Sequence, residues 1–260
     1  MDVRLRNALV SAGTVVLLVG CGGGDAKVGN NPSQTNATPG GIWRGNESVS
    51  GLQVVGIADE NGNFNFVRAD GVQYVGSATV NGTSLSANVD GIVPLGFVFA
   101  DGSAHGTGTI SGTVQARKSI SSSTSFKTDN GNVSNGTLNL TFDTLYNRAS
   151  SLTTLSGNFK AASNANVVVT VSSNGSLFSQ DPVSGCVLNG NASVLNASYN
   201  AYAVQFDYAN CIGSAAALNG VKFTGLATLD NTVSPEQILV GATGSSGNVK
   251  YSLVLRLNRT

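Results

Sequence analysis

Val249-Lys250-Tyr251-Ser252-Leu253-Val254-Leu255-Arg256-Leu257 decides how this chain is read. Val249, Tyr251, Leu253, Leu255 and Leu257 share one face, and Lys250, Ser252 and Arg256 the other, with Val254 the exception. Strand side chains alternate between faces, so a period of two marks a half-buried antiparallel strand. Tyr202, Val204, Phe206 and Tyr208 repeat the pattern against Gln205 and Asp207. Between such runs stand Asn61-Gly62, Asp70-Gly71, Asn81-Gly82, Asp90-Gly91, Asp101-Gly102, Asn130-Gly131, Asn174-Gly175 and Asn219-Gly220. These pairs tolerate the positive φ of tight hairpin turns.

Composition points the same way. The 260 residues carry 14 basic and 14 acidic side chains, and only 11% are charged, against about 25% in an average soluble domain. Helical surfaces draw on Glu, Lys and Arg, whereas 33 Gly with abundant Ser, Thr and Asn favour strands and turns. Coiled coils and helix bundles are excluded. So is a nucleic-acid binder working by counterion release, because a net charge of zero leaves no basic surplus. Hydrophobic content of 41% supplies one or two cores.

The chain matches itself. Gly41-Ile42-Trp43-Arg44-Gly45 corresponds to Gly157-Asn158-Phe159-Lys160-Ala161, Asn61-Gly62 to Asn174-Gly175, and Gly76-Ser77-Ala78-Thr79-Val80 to Gly190-Asn191-Ala192-Ser193-Val194. Gly112 corresponds to Gly225, and Gly136-Thr137-Leu138 to Gly247-Asn248-Val249. Ordered anchors at nearly constant spacing are the mark of a duplication. Each copy holds seven or eight candidate strands on short turns, which closes most simply into an up-and-down barrel. The expectation is therefore an all-β protein of two related antiparallel meander domains, eight-stranded and barrel-like, over residues 41–150 and 151–260. One larger sandwich or barrel shared by both halves is the competing architecture. A transmembrane barrel is disfavoured, because the strands read as shorter than the ~9–11 residues that span a bilayer.

Residues 1–20 read as a signal peptide. Arg4 and Arg6 precede an uncharged apolar run over residues 8–20, too short for a permanent membrane helix, which needs about 20. The run closes on Leu18-Val19-Gly20-Cys21. That tetrapeptide resembles the bacterial lipobox, which implies that Cys21 is lipidated. Several acyl chains exceed the two-signal threshold for stable anchoring. Gly22 stands where many inner-membrane lipoproteins carry a retention aspartate, so the resemblance implies outer-membrane sorting, with periplasmic or surface exposure left open. Residues 21–40, rich in Gly, Asn, Pro, Ser and Thr, read as a flexible lipidated tether. With Cys21 assigned to lipid, Cys186 and Cys211 remain as a pair for an oxidising compartment. They stand at the outer ends of two strands that turn near residues 196–200, so antiparallel pairing would return one beside the other.

Gly41-x-Trp43-x-Gly45 resembles the opening of lipocalin- and avidin-like barrels, where the ring plugs one end; an aromatic core residue on a first strand explains it as well. The lipobox, the two Gly-x-aromatic openings and Gly185-Cys186 with Cys211 and Phe223-Thr224-Gly225 together resemble two-repeat proteobacterial lipoproteins. That group has no assigned activity, so the resemblance implies location and architecture, and no catalytic residues.

Chemistry-bearing residues are sparse. His105, the sole histidine, reads as a solvated loop residue and lacks the Gly-x-Ser-x-Gly elbow of a serine hydrolase. Asp143 and Asp207 lie within strands among polar neighbours and read as outward-facing. Asp59-Glu60-Asn61-Gly62-Asn63 has the oxygen density of a calcium loop without EF-hand spacing, and reads as a hairpin tip. Arg117-Lys118, before a serine-rich run, reads as a solvated strand edge. No cofactor or metal is expected. The functional expectation is a membrane-anchored binding or envelope-interaction module that is non-catalytic, engaging the membrane through its lipid, with an envelope protein or a small apolar ligand as partner and no nucleic acid. A hydrolase-like enzyme built on His105 or the in-strand carboxylates, and a surface adhesin, are the alternatives.

Overall fold

A computed structural model describes residues 35–260. The expected signal peptide, Cys21 and the expected tether up to residue 34 lie outside the described residues. The first copy forms β1 (Gly41–Glu47), β2 (Gln53–Ala58), β3 (Asn63–Arg68), β4 (Gln73–Asn81), β5 (Ser84–Ile92), β6 (His105–Gln115), β7 (Ser119–Thr128) and β8 (Val133–Asp143). Each strand pairs antiparallel with the next, and β8 returns to β1, with Trp43 opposite Phe142. A linking segment with short helical turns at Thr144–Asn147 and Leu152–Leu155 leads into the second copy.

That copy forms β9 (Gly157–Ala161), β10 (Asn164–Val171), β11 (Ser176–Gln180), β12 (Val187–Val194), β13 (Tyr202–Ala209), β14 (Lys222–Asp230), β15 (Gln237–Ser246) and β16 (Val249–Arg259), closed by β16 on β9. The protein is thus all-β, two eight-stranded antiparallel barrels that close separately. Four internal matches fall on equivalent elements, β1 and β9, the turns after β2 and β10, β4 and β12, and β6 and β14, whereas the last sets the middle of β8 against the turn before β16 and its first residue. The disulfide joins Cys186 and Cys211, with Cα atoms 4.0 Å apart.

Alternation puts the apolar faces inside. Trp43, Phe64, Phe66, Leu85, Ile110, Val114 and Leu140 pack in the first barrel, and Phe159, Val169, Leu188, Tyr202, Phe206, Phe223 and Leu257 in the second. A third core of Ile42, Ile57, Leu145, Tyr146, Ala201 and Leu226 joins the barrels side by side. Val254, the exception to the alternation, faces this junction. It pairs with Gly241, whose missing side chain leaves room for Asn65 of the first barrel: a Cβ on Gly241 would meet Asn65 Oδ1 at 2.6 Å.

Strand lengths correct one expectation. β4 to β8 and β14 to β16 run nine residues or more, long enough to span a bilayer on length alone. Their outward face is what speaks against lipid contact. β6 turns out Thr107, Thr109, Ser111 and Thr113, β7 Ser121, Ser123 and Ser125, and β8 Asn135, Thr137, Asn139 and Thr141, all exposed. A lipid-facing barrel wall is apolar.

Candidate functional site

The two ends of the first barrel differ. One end is sealed: Trp43 is fully buried, donates its indole N–H to Pro39 O at 2.9 Å, and stacks edge-on against Phe142 at 5.5 Å. Trp43 therefore meets both sequence readings, a core residue that also closes an end. Residues 36–37 attach at this end through Gly82, which accepts from Ala37 N at 2.8 Å and donates to Asn36 Oδ1 at 2.8 Å.

The opposite end carries the turns 48–52, 69–72 and 129–132 and the twelve-residue loop 93–104 between β5 and β6. Here the barrel opens on a recess of about 260 Å³. Its apolar wall includes Val89, Phe99, Ile110, Phe126 and Leu138, and Thr124, Thr128 and Ser134 add hydroxyls. Phe99 reaches in from the loop, its ring 5.6 Å from that of Phe126. Asp101 latches the loop to the β7–β8 turn, accepting from the Thr128 hydroxyl through its side chain and from Asn130 Nδ2 at 2.7 Å through its carbonyl. Val49, Leu95, Phe97, Val98 and Val133 stand exposed on these connections and at the start of β8.

A charged cluster sits at the recess wall. Arg68 donates from Nε and Nη2 to the two oxygens of Asp70 at 2.9 and 2.8 Å, and from Nη1 to Tyr74 Oη at 3.1 Å and Glu47 Oε2 at 3.4 Å. Glu47, buried, also accepts from Val49 N at 3.0 Å and from the Ser50 hydroxyl at 2.5 Å. Burial pushes the Tyr74 hydroxyl up to about 12. Burial works to raise Asp70, but the hydrogen bond and charge of Arg68 outweigh it and hold the carboxyl below its ordinary value. Four residues on β1, β3, β4 and the turn between them converge, and no local motif announces them. One signal does exist. Arg68 shares strand parity with Phe64 and Phe66, and Glu47 with Trp43, so both are charges on an apolar face.

The second barrel has the equivalent loop, 210–221 between β13 and β14, at the equivalent end. That loop holds the 3-10 turn Gly213–Leu218 and is tied by the disulfide to Cys186, just before β12. Asn219 secures it further, accepting from Cys211 N at 2.8 Å and donating to Cys211 O at 3.0 Å. A more open recess of about 310 Å³ lies beneath, lined by Val167, Asp181, Tyr208 and Leu218. Deeper in, the barrel is packed, with about 30 Å³ left among Val169, Leu188, Phe206 and Leu257. Both mouths face the same way: Lys250 reaches Asp90 at 2.8 Å and Ser252 bridges Pro94 on that side, while Asn200 binds Tyr146 O and Leu145 O at the other.

The remaining candidates take structural places. His105 opens β6 with both ring nitrogens engaged, Nε2 to Asp90 at 2.9 Å and Nδ1 to Asp129 at 3.0 Å, in place of the expected solvated loop. Neither nitrogen is left to accept a proton from a serine. Asp143 faces outward, pairs with Arg44 at 2.5 Å and caps Leu145 N. Asp207 lies opposite Lys222 on the neighbouring strand. Asp59-Glu60 is a hairpin tip whose Asp59 accepts from Asn61 N and Asn63 N, both at 2.9 Å. Arg117 departs from its expected solvated edge. Its guanidinium lies 4.8 Å from the Tyr146 ring and 4.3 Å from that of Tyr199 in the second copy, and bonds Glu60 at 2.8 Å. It is a fastener between the copies. Among the described residues, no group of three or more His, Cys, Asp or Glu is placed to hold a metal ion.

No protein-family model matches this chain, and no curated protein matches it.

Proposed function

We propose that this protein is a bacterial lipoprotein, anchored in the outer membrane through Cys21, that acts as a non-catalytic binding module with the mouth of its first barrel as the binding site. The observation that carries the reading is the asymmetry of that barrel. It is plugged by Trp43 at the end where the chain arrives and open at the other onto an apolar recess with a partly buried ion cluster. Concave apolar pockets with a few converging polar groups are the usual form of small-molecule sites. The polar outer walls and the Cys186–Cys211 bridge accord with a body held in an oxidising, aqueous space beside a membrane.

Two measurements test the parts separately. Cys21→Ser is expected to abolish metabolic labelling by palmitate and to release the protein from the membrane fraction; unchanged labelling and retention would contradict the anchor. Binding at the recess is tested by calorimetric titration with small amphiphiles; heat from none of them would contradict the binding site.

A further inference from the structure

The ion cluster selects among the ligands that the recess could hold, and this inference rests on the reading of the recess as a binding site. We propose that it takes an uncharged medium-chain amphiphile whose one polar group accepts a hydrogen bond, an alcohol or an ester, and discriminates against the carboxylate of the same chain length.

Arg68 is the one cationic side chain lining the recess among the described residues. A guanidinium has five N–H donors. Four are engaged, two by Asp70, one by Tyr74 and one by Glu47. Two carboxylates therefore surround one guanidinium, and an arriving anion would have to be desolvated in a negative field. A primary ammonium would also lose its hydration, and the Glu47 carboxylate it would seek is already held by Val49 N, Ser50 and Arg68.

Tyr74 supplies what a neutral ligand needs. Its oxygen accepts from Arg68, and its own proton meets no acceptor among the described residues. With its pKa at about 12 the hydroxyl remains a donor throughout the neutral range. Size sets the chain length: an apolar cavity of about 150 Å³ takes benzene, with roughly six non-hydrogen atoms, so a recess of about 260 Å³ takes a ligand of medium length. An eight-carbon alcohol, with roughly nine non-hydrogen atoms, fits that volume. Its chain would lie among Phe99, Phe126, Ile110 and Leu138, and a longer chain would emerge over the exposed Val49 and Val133.

Isothermal titration of the full chain, carrying Cys21→Ser so that no acyl chain competes, compares octan-1-ol, octanoate and octylammonium at neutral pH. Octanol is expected to bind about tenfold or more tightly than either ion, and Tyr74→Phe to weaken it about three- to tenfold, the worth of one hydrogen bond. Ser134→Trp, which fills the recess, is expected to abolish octanol binding; Thr124→Leu provides a smaller filling change should the larger one not fold. Octanoate or octylammonium binding as tightly as octanol overturns the ligand class and leaves the recess as a binding site. Octanol binding untouched by Tyr74→Phe and by both filling changes overturns its placement. Heat from none of the three ligands overturns the binding reading itself.

Discussion

Gly62 and Gly175 show the duplication at the level of single atoms. Each ends an Asn-Gly pair in a hairpin turn, with φ of 89° and 90°, and a Cβ on either would meet a carbonyl oxygen, of Ala78 or Ala192, at 2.3 Å. The same two alanines donate their amides to the glycine carbonyls at 2.9 and 2.8 Å. Gly62→Ala and Gly175→Ala are each expected to lower stability by about 2–3 kcal/mol, since left-handed backbone and the close approach both penalise a side chain. Urea unfolding of the two variants checks this; a loss below about 0.5 kcal/mol in either would contradict it. These glycines were legible because a turn is a local matter. Arg117 was not, because its place depends on Tyr199, a residue brought to it only by the packing of the second copy.

The strands show what periodicity can and cannot deliver. β16 reads cleanly because its inward positions carry Tyr251, Leu253, Leu255 and Leu257. β6 turns in Gly106, Gly108 and Gly112 beside Ile110 and Val114, so its apolar signal is diluted by glycine and its length is underestimated from sequence. The twelve-residue loops 93–104 and 210–221 occupy the same place in the two copies, yet only the second is covalently tied. Closing the 25-residue separation is worth about 3 kcal/mol on the chain-entropy account. The double variant Cys186→Ala with Cys211→Ala is expected to lose that stability and to speed amide exchange in 213–218. Unchanged exchange there would mean that the Asn219 hydrogen bonds suffice to hold the loop.

Across the whole molecule, the junction turns two barrels into one body. Gln73 is completely buried there and donates to Ala242 O at 3.1 Å and to the Ser252 hydroxyl at 2.7 Å. Asp90 ties the mouth side through Lys250 of the second barrel and also pairs with His105 of its own barrel. Burial works to raise the Asp90 pKa, but those two partners outweigh it and hold it below the ordinary value. A carboxylate with a depressed native pKa stabilises the fold above its unfolded value, about pH 4, and loses that contribution as pH falls through the native value. Asp90→Asn is therefore expected to reduce stability at pH 7 by up to about 1 kcal/mol, allowing for solvent screening. Urea midpoints of variant and parent should converge as pH approaches 2; a gap that persists in acid would contradict the assignment.

The recess is a property of this scale as well. Its walls come from seven strands and a loop, so composition and alternation announce barrels without announcing what lies at their mouths. The most direct test of the binding account is a crystal structure of the protein soaked with 8-bromooctan-1-ol, read by bromine anomalous scattering. A peak is expected within the first barrel, beneath Phe99 and beside Phe126 and Leu138. A peak confined to the second barrel or to the outer surface would contradict it.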